Sequence, residues 1–347
     1  MLELHLKNPN DLQLREIDSV GVPPDGHVKI KLIYGGICGS DLRVFQGSLP
    51  HASYPLRPGH ELVGTIIEVG KDAPFNIGTR VVVFPNSFCG ECDLCKKGKT
   101  NICRQKRSIG VNIDGGFAEE IIISSKYVLP IPKDMPDERA VLIEPFAVVV
   151  HALEKATITK GTAVAIVGSG NEGMLAAVLG LYLGARITAI DINPVKREMV
   201  KKLGDIRAIH PEEVGDETFD IVIEAAGAQK AVEQAVHLVR PGGELILIGM
   251  TPKALLPIMH IVRNEITLYG SMIYSFPTGF EHSIKYLSDK NLNVDPIISK
   301  ILPFTEFKQA YEIAIAGSHG KVVLDFKEKG LIPNSNTNES ALHASNQ

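Results

Sequence analysis

Apolar and polar positions alternate in short stretches through the first 148 residues, and glycine and proline interrupt them at close intervals. Segments 27–36 (HVKIKLIYGG), 61–70 (ELVGTIIEVG), 79–84 (TRVVVF) and 116–124 (GFAEEIIIS) are the clearest strands of this β-rich region. After His151 the pattern changes. Continuous apolar runs at 163–167, 187–191, 207–210, 219–225, 244–250 and 266–272 alternate with helical segments at 174–184, 194–204 and 229–239. Six apolar strands joined by such helices predict an open parallel sheet covered on both faces. Two further helices are expected over 279–291 and 304–317, and a closing strand over 321–326. The fold class is therefore α/β plus β.

Composition adds bounds. A chain of 347 residues with 44% hydrophobic content calls for two domains. A formal charge of −4 offers nothing to attract nucleic acid. No apolar run reaches the ~20 residues of a membrane span, and the N-terminal MLELHLKNPN lacks a secretory pattern, so a soluble, cytoplasmic protein is expected. The polar tail 331–347 is expected to be disordered.

Four of the five cysteines, Cys89, Cys92, Cys95 and Cys103, fall close together, and Cys38 stands apart. Disulfides do not suit an intracellular chain. The seven residues before Cys103, with Arg104 after it, depart from the four-iron ferredoxin spacing. Four thiolates at such spacing predict a closed structural zinc site, with iron in the same shell as its rival.

Gly168-Ser169-Gly170-Asn171-Glu172-Gly173 lies between a predicted strand and helix, where a dinucleotide pyrophosphate would meet backbone amides and a helix N-terminus. Asp191 ends the next strand, placed to accept from an adenosine ribose and to repel a 2′-phosphate. The cofactor expected is NAD. Cys38 and His60, with nearby carboxylates such as Glu61, are suitable ligands for a second zinc with one position open to substrate, although each residue alone would be unremarkable.

Cys38-Gly39-Ser40-Asp41, Gly59-His60-Glu61, the four-cysteine lobe (85–107), 115–120 (GGFAEE) and the glycine turn occur in the order of the zinc-dependent medium-chain dehydrogenase family, which this chain resembles as far as about Glu328. The segment 143–148 is similar to that of the polyol branch, which includes sorbitol and galactitol-1-phosphate dehydrogenases. The resemblance implies a GroES-like catalytic domain over 1–148, an inserted Rossmann domain over 149–273 and a return to the first domain over 274–330. It implies two zinc ions per chain. Cys38 and His60 would hold the active-site ion, Glu61 and Glu144 would bind it directly, by exchange or through water, and Ser40 would relay the alcohol proton. A homodimer or homotetramer is implied as well.

Arg43 stands where many members have a histidine, which puts the usual relay beyond Ser40 in question; an arginine there suits a phosphate or carboxylate of the substrate, or solvent. His51 is a second relay candidate. The expected activity is hydride transfer between NAD and a polyol, sugar-alcohol phosphate or other secondary alcohol. An aldose dehydrogenase or ketone reductase on the same scaffold, and a non-catalytic zinc- and dinucleotide-binding sensor, are the alternatives.

Overall fold

In a computed structural model, which describes residues 1–327, the chain builds two large sheets. The first has seven strands. Its centre is the 11-residue strand His27–Ile37, flanked by Glu61–Val69 on one side and Lys321–Asp325 on the other, and also paired with Glu120–Ser124. Arg80–Val83 and Val128–Pro130 extend it beyond Glu61–Val69, and Ile298–Pro303 extends it beyond Lys321–Asp325. The chain thus returns at its end to the sheet it began.

The second sheet has six strands, all parallel. Their order is Ile206–Ile209, Arg186–Ile190, Ala163–Val167, Phe219–Glu224, Val239–Leu247 and Thr267–Gly270. The first strand in sequence, Ala163–Val167, lies in the middle, so the connections leave it in opposite directions and open a crevice at the carboxyl ends of the strands. Helices Asn171–Tyr182, Pro194–Lys201 and Gln229–His237 provide the crossovers.

All the predicted strands and helices form. Several elements were not singled out from the sequence, among them the hairpin Leu2–Asn8/Asp11–Glu16, the strands Val128–Pro130 and Ile298–Pro303, and the helix Ile143–Leu153. The helix runs through positions 148 and 149, so the boundary expected there falls inside a helix, and residues 154–162 lead from its end to the second sheet. Nearly all its residues are buried, and one core cluster takes in Tyr34 and Val63 of the first sheet, Phe146 and Val150 of the helix, and Val164 and Ile166 of the second sheet. This shared core fixes the cleft between the sheets. Among the described residues no helix is long and apolar enough to cross a membrane. The expectation for 331–347 lies outside the described residues.

Candidate active site

Three strand ends converge at the mouth of the first sheet. Strand His27–Ile37 ends just before Cys38; on one side Gly36 pairs with Glu61, on the other Ile37 pairs with Val322, next to Lys321. Gly36 has to lack a side chain, because a Cβ there would lie 2.0 Å from Glu61 Oε2. Cys38, His60 and Glu61 each bring one ligand atom into a group whose members lie within 4.8 Å of one another.

Local hydrogen bonds prepare these donors. Asp41, on the short helix Gly39–Phe45, accepts from the Cys38 amide through Oδ2 at 2.9 Å, and its Oδ1 lies 3.0 Å from His60 Nδ1. With Nδ1 committed to a buried carboxylate, Nε2 is the nitrogen free to bind a metal. Ser40 Oγ lies 3.3 Å from that Nε2. Burial disfavours the imidazolium, but the Asp41 carboxylate outweighs it and lifts the His60 pKa well above its ordinary value. Burial pushes the Cys38 thiol up. One thiol, one oriented imidazole and one carboxylate fit a zinc site with an open position.

Each of the two candidate carboxylates has its own buried partner. Glu61 takes Lys321 Nζ on both oxygens, at 2.6 and 2.8 Å, and both side chains are wholly buried. Burial works against the ammonium, yet Glu61 holds Lys321 protonated. Glu144, in the first turn of helix Ile143–Leu153, accepts from Tyr274 Oη. Burial raises its pKa to about 7, with His60 pulling it down and Glu61 pushing it up. Glu144 thus senses the charges of His60 and Glu61 without being one of the donors that lie within 4.8 Å of one another.

The four remaining cysteines form a second group, again within 4.8 Å. Cys89 Sγ is 3.6 Å from Cys103 Sγ and 3.9 Å from Cys95 Sγ. Sulfurs ~2.3 Å from a tetrahedral zinc lie ~3.8 Å apart, so the donor set fits the ion. The backbone amides of Cys89, Cys92, Cys95 and Gln105 point at these sulfurs at 3.4 to 3.5 Å. The Cys95 amide is the main reason that the Cys92 thiol drops to about 6, while burial drives Cys95 to about 12. Four thiols this close ionise together only around a cation.

On the other side of the cleft, Gly168 to Gly173 forms the turn between Ala163–Val167 and helix Asn171–Tyr182. Gly168 has φ +97° and packs on Ala226, and a Cβ on Gly173 would lie 1.8 Å from the Gly168 carbonyl oxygen. Gly170 has nothing within 4 Å of its Cβ direction, which leaves room for a phosphate. Asp191 accepts from the Ser169 amide at 2.6 Å and the Asn193 amide at 2.7 Å, tying together the ends of two strands. Glu172, in the first turn of the helix, adds negative charge near Lys196, Cys38 and Lys321.

Of the residues expected from sequence to share a site, Cys38, Ser40, His60 and Glu61 come together, whereas Glu144 is not in the group of donors that lie within 4.8 Å of one another. Arg43 lies on the same short helix; its guanidinium makes no hydrogen bond or ion pair among the described residues, and His51 is exposed on the following loop. Three residues around the site were not anticipated in these roles. Asp41 could have been found three positions beyond Cys38, as a side chain able to return to that amide. Lys321 and Tyr274 reach their partners from 260 and 130 residues away, and no local pattern marks them.

Residues 24–133 match the alcohol dehydrogenase GroES-like domain, and residues 173–289 match the zinc-binding dehydrogenase domain. L-galactonate-5-dehydrogenase of Escherichia coli (strain K12) is 32% identical over 320 residues, which cover 88% of this chain and 93% of the relative. The crystal structure of galactitol-1-phosphate dehydrogenase from Escherichia coli superposes with a TM-score of 0.86 at 31% identity, covering 94% of this chain and 100% of that one. A zinc-binding dehydrogenase of Sinorhizobium meliloti 1021, solved with NADP bound, gives 0.87 at 26% identity over 93% of this chain and 98% of the other. With its GroES-like and Rossmann units and its two donor clusters, the chain belongs to the zinc-dependent medium-chain alcohol dehydrogenases, in their polyol branch. It is an oxidoreductase acting on alcohols, of a family that uses zinc and a nicotinamide cofactor.

Proposed function

We propose that this protein oxidises a secondary hydroxyl of a polyol, sugar acid or sugar-alcohol phosphate, reversibly, with NAD, and carries two zinc ions per chain. The observation that carries the reading is the convergence of Cys38, His60 and Glu61 beside Ser40, across the cleft from a turn open at Gly170. An anionic substrate is supported by the uncommitted guanidinium of Arg43 and by the two relatives named for L-galactonate and galactitol-1-phosphate. Asp191, at the end of the second strand of the Rossmann unit, supports NAD over NADP, because a carboxylate at that strand end would repel a 2′-phosphate. The exposed Ile258, Met259 and Val262, near the edge strand Thr267–Gly270, support a homodimer or homotetramer.

In this mechanism Cys38 and His60, with Glu61 or Glu144, would hold the active-site zinc, and Cys89, Cys92, Cys95 and Cys103 would hold the other. When bound, the active-site ion supplies Lewis acidity toward a substrate hydroxyl, and the nicotinamide supplies the acceptor for hydride. Asp41 fixes the His60 ring so that Nε2 faces the site. Ser40 Oγ, beside that nitrogen, takes the hydroxyl proton and passes it outward. Lys321 neutralises Glu61, so the site gathers donors without accumulating negative charge. The amides of the glycine turn receive the pyrophosphate and set the depth at which the cofactor enters.

The test follows reduction of NAD, spectrophotometrically, across polyols, sugar acids, sugar-alcohol phosphates and aldoses with zinc supplied. Turnover is expected with one of the first three classes, and Ser40→Ala should keep zinc and nucleotide while losing on the order of 10²–10⁴ in rate. Turnover confined to aldoses would transfer the assignment to aldose oxidation. Tight nucleotide binding with no turnover on any alcohol would favour a sensor.

A further inference from the structure

The 3₁₀ turn Thr100–Ile102 sits inside the cysteine lobe, between Cys95 and Cys103, and both Thr100 and Asn101 are buried. Their side chains clasp a single segment 171 to 176 residues further along the chain. Asn101 Nδ2 donates to the Met272 carbonyl at 2.8 Å, Ser275 Oγ donates to Asn101 Oδ1 at 3.2 Å, and the Phe276 amide donates to Thr100 Oγ1 at 3.0 Å. Within the clasped segment Ile273 has φ +36°, in the left-handed region that a β-branched side chain disfavours. Such a conformation persists only where its surroundings enforce it. The next residue is Tyr274, wholly buried, with its ring against Phe84 at 5.7 Å and Phe280 at 5.0 Å and its hydroxyl donated to Glu144.

We propose that the cysteine lobe positions the active site: by clasping 272–276 it holds the unfavourable backbone at Ile273, presents the Tyr274 hydroxyl to Glu144, and thereby aims Glu144 at the active-site metal. Tyr274 and Asn101 are positioning residues in this arrangement, and the lobe's metal supports the other metal through them. The inference rests on the reading that Glu144 serves the Cys38–His60 site. Tyr274 donates to one oxygen of Glu144 and leaves the other free, which orients the carboxylate as a partner in the outer shell of a metal centre does. Aromatic packing fixes the ring but not the hydroxyl's acceptor, so a purely structural tyrosine would be replaceable by phenylalanine.

Zinc release from the loaded full-length protein to a chromophoric chelator separates the possibilities, with the fast phase assigned to the active site by its loss in Cys38→Ser. Tyr274→Phe keeps the ring packing and deletes the donor; it should speed the fast phase about tenfold or more and leave the slow phase of the lobe unchanged. Asn101→Ala, which retains all four cysteines and Tyr274, should act in the same direction. The double variant should be no faster than Tyr274→Phe alone, since both act through one contact. Thr100→Val carries the clasp test should Asn101→Ala disturb the slow phase. A fast phase within about twofold of the parent in either clasp variant, or multiplicative effects in the double variant, overturns the coupling. Glu144→Gln distinguishes the two levels: if it leaves the fast phase unchanged, the role of Glu144 at the metal falls and the inference with it; if it speeds release while Tyr274→Phe does not, only the inference falls.

Discussion

Glu144 illustrates what burial does to a carboxyl group at this site. Its value near 7 comes first from burial and lies above the ~4.3 of an exposed glutamate, so the folded protein binds this proton more tightly than the unfolded chain does. The stability gained is complete below about pH 4.3 and is lost as pH rises through about 7. His60, lifted by Asp41, acts in the same sense. For protein stripped of its active-site metal, the unfolding free energy should therefore fall between pH 5 and 8, with Glu144 contributing no more than ~3 kcal/mol of the change. Glu144→Gln should flatten the profile in denaturant titrations at several pH values; parallel profiles for the two proteins would remove Glu144 as the group responsible. Cys38, Ser40, His60 and Glu61 were legible in the sequence because they lie in two short segments with recognisable order. Lys321 was not, since its partner Glu61 is set by the register of three strands, and a lysine at the start of a strand ordinarily faces water.

Among the elements, the glycine turn was legible because strand, glycines and helix follow one another without interruption. The structure adds a second function for Asp191: it accepts the Ser169 amide and so braces the turn itself. Asp191→Ser should lower the ratio of kcat/KM for NAD over NADP by at least about tenfold, ~1.4 kcal/mol. Steady-state kinetics with both cofactors check it, and an unchanged ratio would remove the specificity role. Nearby positive charge is already engaged, since Arg197 donates to the carbonyls of Asp191 and Ile192 and Lys196 to that of His319. Helix Ile143–Leu153 was less legible. Buried on nearly every side, it shows no amphipathic stripe, and a run of apolar residues without periodicity does not separate helix from strand. Helix Ile258–Arg263 fails the opposite way, its apolar Ile258, Met259 and Val262 being exposed.

At the scale of the molecule, the two sheets, most of their strands and the chain's late return were implied by sequence and resemblance, whereas strands Val128–Pro130 and Ile298–Pro303 and the helix that packs between the sheets were not. One core spans both sheets through helix Ile143–Leu153, and that helix also carries Glu144, so the cleft and its carboxylate are set by the same packing. The hydrogen bonds from the cysteine lobe to 272–276 add a second bridge. The Cys38–His60 cluster is the proposed catalytic metal site of a nicotinamide-dependent alcohol dehydrogenase with a separate structural zinc. Zinc content, thermal unfolding and alcohol-dependent NAD reduction, measured on the same preparations of the parent protein and Cys38→Ser, test it most directly. Two zinc ions and turnover are expected in the parent, and one zinc, a retained cooperative fold and no turnover in Cys38→Ser. Parent-like turnover in a Cys38→Ser protein that holds only one zinc would contradict it.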